Sequence, residues 1–236
     1  MKKITIISGG SAGLGLAISE LMIKSGREVL LLGRDSEKLS AATTKLNGIS
    51  KKAGAGMMVC NIGNEADTRK VGKFLTDNNI ITEFLFNNAG RGLFAEASTS
   101  TSRMIDEVFE ANLKGLILLT SEILSITPEN EELTIVNIMS TSALFGRDRE
   151  TIYCASKWGA RGYTEALRTE LKGKKRNIIA VYPGGMKTDF YKVVKPDRDL
   201  AGFMDPADVA EKIVNAVLNN KELIVSDLTI TRIKRT

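Results

Sequence analysis

The strongest constraint on the fold is the rhythm of apolar residues. Seven short apolar runs recur: KITIIS (3–8), EVLLLG (28–33), GMMVCN (56–61), TEFLFN (82–87), LTIVNIM (133–139), IIAVYP (178–183) and ELIVSD (222–227). Between them lie stretches with helical spacing, such as Leu14, Ala17, Ile18, Leu21 and Met22 within 13–25. Similar helical patterns cover 36–47, 65–78, about 101–127, 151–172 and 206–219. The runs are continuous rather than alternating, which predicts strands covered by helices on both faces. Alternation of strand and helix from end to end predicts an α/β chain: a doubly wound sheet of about seven parallel strands, in one domain over 1–236. Right-handed crossovers then bring the C-terminal ends of the strands to one edge, where ligands bind. Ser8, Arg34, Asn61, Asn87, Ser140 and Pro183 all fall at or just past a predicted strand end.

The first strand runs into SGGSAGLG (8–15). Glycines at 9, 13 and 15 permit a sharp turn, close approach of a diphosphate, and tight packing of helix on strand. The helix that opens near Gly13 offers unpaired N–H groups and a positive dipole end to the anion. This is the context a dinucleotide-binding, Rossmann-type turn requires. The second strand ends on Gly33-Arg34, where an NAD site usually carries an acid for the ribose 2′-hydroxyl. A guanidinium suits a 2′-phosphate, so the pattern favours NADP(H) over NAD(H). Asp35 is adjacent, and a second use for it is to cap the following helix.

Composition removes several chemistries. The 236 residues include no histidine and only two cysteines, Cys60 and Cys154, so Ser-His-Asp and Cys-His arrangements, most zinc sites and a disulfide framework are excluded, and no metal site is expected. A net charge of +5 and the tail RIKRT raise the question of an anionic partner, but aromatics are only 6% and no basic stripe is evident, so no nucleic-acid role is expected. MKKITIISGG breaks at Gly9-Gly10 after an apolar run shorter than the roughly 7–15 residues of a signal peptide. No run approaches the roughly 20 apolar residues of a membrane span. A cytoplasmic protein with no membrane association is the expectation.

Taken in order, these motifs resemble the short-chain dehydrogenase/reductase family over nearly the whole chain. SGGSAGLG is similar to the family's TGxxxGxG with Ser8 in place of Thr; NNAG (87–90), Asn112 in EANLKG, Ser140 closing IVNIMS, YCASK (153–157) and PGGMKT (183–188) follow in sequence. The resemblance implies a catalytic set of Asn112, Ser140, Tyr153 and Lys157. It implies a cofactor shell of Ser8, Gly9, Ser11, Gly13, Leu14, Gly15, Arg34, Asn61, Ile62, Asn88, Ala89, Gly90, Tyr153, Lys157, Pro183, Gly184, Met186 and Thr188. Asn61 departs from the family's frequent aspartate near the adenine, but an amide oxygen still accepts a hydrogen bond there. The C-terminus lacks the Gly-rich ending common among the bacterial ketoacyl-carrier-protein reductases.

The residues bear this chemistry. Four apart on a helix, Tyr153 and Lys157 share a face. A cation about 4–6 Å from a phenolate stabilises it by roughly 3–4 kcal/mol at an effective dielectric near 20. That predicts a tyrosine pKa lowered by roughly 2–3 units, toward the range where acid–base catalysis works. In the resemblance Tyr153 moves the proton, Lys157 depresses its pKa and holds the nicotinamide ribose, Ser140 binds the substrate oxygen, and Asn112 helps hold a relay water. Singly, each residue has a plainer use, as a surface pair, a turn or a solvent-facing amide. Alternatives are a 3-oxoacyl thioester reductase and a non-catalytic NADP-binding sensor or scaffold.

Three further expectations concern partners. Residues 185–205, with Met186, Phe190, Tyr191 and Phe203, are read as a substrate lid, and Leu93, Phe94 and Phe145 as an apolar wall; the substrate is a small carbonyl or alcohol compound. Lys187, Lys192 and Lys195 are candidates to meet an anionic substrate. Gly159 and Gly162 suggest close packing on one face of the 151–172 helix, which in relatives pairs between subunits, so a homodimer or homotetramer is expected. Cys154 is left without an assigned role, helix packing being its plainer use.

Overall fold

In the computed structural model, which describes residues 1–194, 199–219 and 223–233, the seven strands form one all-parallel sheet. The strands are β1 (Lys2–Ser8), β2 (Glu28–Gly33), β3 (Ala55–Val59), β4 (Ile80–Asn87), β5 (Leu133–Ile138), β6 (Arg176–Pro183) and β7 (Asp227–Ile230), in the order β3-β2-β1-β4-β5-β6-β7. The helices are α1 (Gly13–Lys24), α2 (Ser36–Asn47), α3 (Glu65–Asp77), α4 (Ser102–Phe109), α5 (Gly115–Ile126), α6 (Thr151–Glu170), α7 (Asp189–Val194) and α8 (Pro206–Leu218).

Successive residues of the interior strands feed opposite layers, which is why those runs are apolar throughout, whereas β3 at the sheet edge leaves Met57 and Val59 exposed. Ile7, Leu31, Phe86, Val136 and Ile179 pack against α1, α2 and α8. Ile6, Leu30, Leu85, Ile135 and Ile178 pack against α3, α5 and α6. Helix ends follow local chemistry: Asp35, Asn64, Thr101 and Asp205 cap α2, α3, α4 and α8 by accepting from backbone N–H groups. Among the described residues no helix is long and apolar enough to cross a membrane.

Two expectations are corrected. The last strand is not at 222–227: it begins at Asp227, residues 223–226 precede it, and Glu222 lies outside the described residues. Leu223 and Ile224 are exposed, whereas Leu228 and Ile230 alternate with exposed neighbours and rest on the α1/α2/α8 layer. An edge strand with one covered face carries an alternating signal, and the continuous LIV run concealed it. The segment from 101 to 127 is also not one regular helix. A π-turn at Glu110–Lys114 separates α4 from α5 and carries Asn112 inward, where it is buried.

Candidate active site

The sheet order reverses between β1 and β4, and the loops after these strands face each other across that crevice. They are tied by Ser8, whose buried hydroxyl accepts from the N–H groups of Asn88 and Ala89, both at 3.1 Å. The Asn88 amide donates back to the carbonyls of Ser8 and Gly9, each at 3.1 Å. Ser8 and Asn88 therefore shape the cradle with their side chains instead of presenting them to its interior.

Glycine is required in that cradle. Gly9 and Gly13 sit at φ +65 and +54, and a Cβ on Gly15 would lie 2.3 Å from the Gly9 carbonyl oxygen. Helix α1 starts at Gly13 behind Ala12, without a side-chain cap and without an acid in its first turn. Its leading N–H groups thus face the cradle unsatisfied, which fits a diphosphate. Thr188 closes the far side, its methyl 3.2 Å from the Cβ position of Gly13. Ser11 is half-buried and Leu14 and Gly15 are buried beneath the turn.

The remaining predicted cofactor residues lie along the same strand edge. Arg34 is exposed past β2 and makes no ion pair among the described residues, while Asp35 is engaged as the α2 cap, accepting from the Lys38 N–H at 3.0 Å. Asn61 donates to Glu110 at 2.8 Å and accepts from the Gly63 N–H at 3.3 Å, so both ends of its amide are occupied. Ile62 is buried against Gly115. Pro183 ends β6, and the following Gly184 N–H bonds the Ile230 carbonyl at 2.9 Å, joining this loop to the end of β7.

A cavity of about 1030 Å³ joins the cradle to Ser140, Tyr153 and Lys157. Its lining includes Gly9, Gly13, Leu14, Asn88, Ala89, Gly90, Pro183, Gly184, Met186 and Thr188 from the predicted cofactor set, and Phe94 and Phe145 from the predicted apolar wall. Ser140 leaves β5 as the cap of a short 3-10 turn; its hydroxyl accepts from the Ser142 N–H at 3.1 Å, and it lines the cavity together with Tyr153. Lys157 Nζ donates to the Ile138 carbonyl at 3.2 Å and lies 5.9 Å from the Tyr153 ring centre. Asn112 clamps the loop after β4: it accepts from the Arg91 N–H at 2.7 Å and donates to the Arg91 carbonyl and the Ser156 hydroxyl, both at 2.9 Å. A Cβ on Gly90 would sit 3.2 Å from Asn112 Oδ1 and 3.5 Å from Lys157 Nζ, so these two groups border the same small space.

The electrostatics depart from the sequence-based expectation. Tyr153 and Lys157 are only 7% and 4% exposed. Burial pushes the Tyr153 phenol well above its ordinary value, opposed by the Ser140 hydrogen bond and reinforced by Tyr191, Glu150 and Cys154. Burial also brings the Lys157 ammonium down from 10.5 to about 8. The helical-spacing argument took both groups as partly hydrated; here loss of water outweighs their mutual attraction. The phenol keeps its proton at neutral pH.

Part of the segment expected as a lid is described, and its rings pack at the Tyr153 end of the cavity. Residues of α7 cover the catalytic end: the Phe190 ring lies 5.7 Å from that of Tyr153 and 5.2 Å from Tyr191, which packs on Phe203 at 4.8 Å and Phe94 at 6.2 Å. Gly92 and Gly185 make room, since a Cβ on either would lie 2.3 Å from the Phe190 or Phe203 ring. From beyond β7, Arg232 donates to the Gly202 carbonyl and stacks over Phe203 at 5.3 Å. Lys187 is exposed, and Lys195 and the side chain of Lys192 lie outside the description. Gly159 packs α6 within the chain, its Cβ position 2.9 Å from Leu113, whereas Gly162 meets nothing within 4 Å. Ser142, Glu150, Ser156 and Arg232 join the site without sequence warning, because each is a single polar residue outside any spaced motif.

Sheet order and cradle together define the doubly wound α/β class that takes nucleotides at the strand reversal. Comparison supplies the family: the model described as short chain dehydrogenase matches residues 3–199, and the chain belongs to that family, whose members are oxidoreductases acting on carbonyl and alcohol groups. Sepiapterin reductase of Chlorobaculum tepidum is 29% identical, covering 97% of this chain and 95% of its own. The 3-oxoacyl-[acyl-carrier-protein] reductase of Bos taurus is 30% identical over 91% and 90% of the two chains. A solved short-chain dehydrogenase/reductase from Vibrio parahaemolyticus is 31% identical, with a TM-score of 0.86 over 99% of this chain and 98% of that one.

Proposed function

We propose that this chain is an NADP(H)-dependent oxidoreductase that interconverts a carbonyl compound and a secondary alcohol, with Tyr153 carrying the proton. One observation carries the reading: Ser140, Tyr153 and Lys157 line the same cavity as the glycine cradle. When bound, the nicotinamide supplies or accepts the hydride. The chain's own groups do the rest. The Tyr153 phenol, kept protonated by burial, donates to the substrate oxygen, and the Ser140 hydroxyl holds that oxygen. Lys157, with a pKa brought to about 8, can gain and lose a proton near neutral pH and so restore the phenol. Asn112, bordering the same space, would hold the water between them. The lid aromatics exclude bulk water.

NADP(H) is favoured because Arg34 is exposed at the end of β2 while the adjacent acid, Asp35, caps α2. The two curated relatives carry different substrate names at nearly equal identity, so the reading stops at an apolar carbonyl compound. A panel of aryl and alkyl ketones, aldehydes and 3-oxoacyl thioesters, followed through nicotinamide absorbance with NADPH and NADH, tests it. Turnover of ketones with NADPH supports the reading, and turnover of aldehydes alone would move it to a primary alcohol. Turnover of thioesters alone would favour the narrower reductase, and nucleotide binding without any turnover would favour a sensor.

A further inference from the structure

The cavity wall holds a carboxylate that the proton transfer above does not use. Glu150 precedes α6 and is 9% exposed. The buried Ser142 hydroxyl donates to its Oε2 at 3.0 Å. The Ser142 N–H in turn donates to Ser140 Oγ at 3.1 Å, and Ser140 lines the cavity beside Tyr153 and opposes the rise of its phenol. A second strand of bonds braces the same corner: the Cys154 N–H reaches the Glu150 carbonyl at 2.7 Å, and Arg147 donates to Thr141 Oγ1 at 2.9 Å.

A buried carboxylate is costly unless its oxygens are hydrogen-bonded, and here Oε2 accepts from the Ser142 hydroxyl. We propose that Glu150 and Ser142 are positioning residues for proton transfer: Glu150 anchors Ser142, and Ser142 anchors the Ser140 hydroxyl against the Tyr153 phenol. The inference rests on Tyr153 as the proton carrier. Its consequence is electrostatic as well as geometric, because an anion beside the phenol favours the protonated form. The other charged or titratable groups around Tyr153 are Lys157 and Cys154 on α6, Tyr191 on α7, and Arg147, Asp189 and Arg232 along the cavity wall. Glu150 is the carboxylate wired to Ser140 through consecutive hydrogen bonds.

The test compares Glu150→Gln with Glu150→Ala. Glutamine keeps an acceptor for Ser142 and removes the charge; alanine removes both. In the reductive direction kcat/KM falls on the alkaline side as the site loses the proton that restores the phenol, first at Lys157, which burial brings to about 8; an anion nearby favours the protonated form of both groups. Glu150→Gln is expected to move that midpoint about one unit toward acid, which is about a tenfold loss above it relative to the low-pH plateau. Glu150→Ala is expected to show the same movement and, in addition, a plateau kcat lowered at least tenfold with little change in KM. An unmoved midpoint in Glu150→Gln would overturn the inference, since a merely structural role lowers the plateau or the melting temperature alone. A second readout does not need turnover. In protein made with a fluorinated tyrosine, the Tyr153 19F resonance, assigned with Tyr153→Phe, should titrate about one unit lower in Glu150→Gln. An unchanged titration there also refutes the inference, whereas absence of turnover in the unmodified chain counts against the proposed function instead.

Discussion

Replacing Lys157 with methionine should make the protein more stable and inactive. The side chain is 4% exposed, and burial lowers its pKa from 10.5 to about 8. A fall of about 2.5 units, at about 1.36 kcal/mol per unit, means that the charged form costs about 3 kcal/mol in the fold. Methionine fills a similar length without the charge, but forfeits the bond from Nζ to the Ile138 carbonyl, about 1 kcal/mol. The net gain is about 2 kcal/mol, or about 4–8 °C in Tm for a chain of this size. The pH dependence follows from the direction of the shift. Below pH 8 the lysine is charged in both states and the cost is full. Between 8 and 10.5 the folded state has released its proton while the unfolded state keeps it, so the natural chain gains stability as pH rises. The advantage of Lys157→Met should therefore be largest at pH 7 and shrink toward pH 10. Urea unfolding of both proteins at the two pH values measures it. A variant less stable at pH 7, or a difference that does not change with pH, would refute the account of a lysine held at a desolvation cost.

Other outcomes follow from the same contacts. Arg34→Ala should raise KM for NADPH at least tenfold and leave KM for NADH nearly unchanged; equal effects would remove the argument for a 2′-phosphate. Gly15→Ala places a methyl 2.3 Å from the Gly9 carbonyl oxygen and 2.6 Å from the Asn88 amide nitrogen, so thermal unfolding should show a loss of about 1–3 kcal/mol, and calorimetry weaker nucleotide binding. Gly162 has open space at its Cβ position and Trp158 is 49% exposed on the same helix, so light scattering at micromolar concentration is expected to give a dimer or tetramer; a monomer would contradict it.

What the sequence made legible depended on periodicity. Strands covered on both faces, such as β2 and β6, announce themselves as unbroken apolar runs, and the glycine cradle as residue types that nothing else can replace. The edge strand β7 was misplaced because exposed apolar residues at Leu223 and Ile224 outweighed a weaker alternation. Spacing brought Tyr153 and Lys157 together correctly as neighbours, yet gave the wrong sign for the phenol, because spacing carries no information about water. Desolvation depends on Phe190 and Tyr191 of α7, roughly forty positions away in sequence. Ser142 and Glu150 were invisible for a related reason: only the fold shows that an ordinary serine and glutamate face one another behind Ser140.

The central claim is that the Tyr153 hydroxyl moves the proton. Tyr153→Phe removes one oxygen from a ring already packed against Phe190. Steady-state turnover of the best carbonyl substrate with NADPH, measured beside the dissociation constant for NADPH, is the most direct test. The account predicts kcat lowered by a factor of about 10² to 10⁴ with nucleotide affinity within about threefold of the natural chain. Turnover that survives at the natural rate would contradict it.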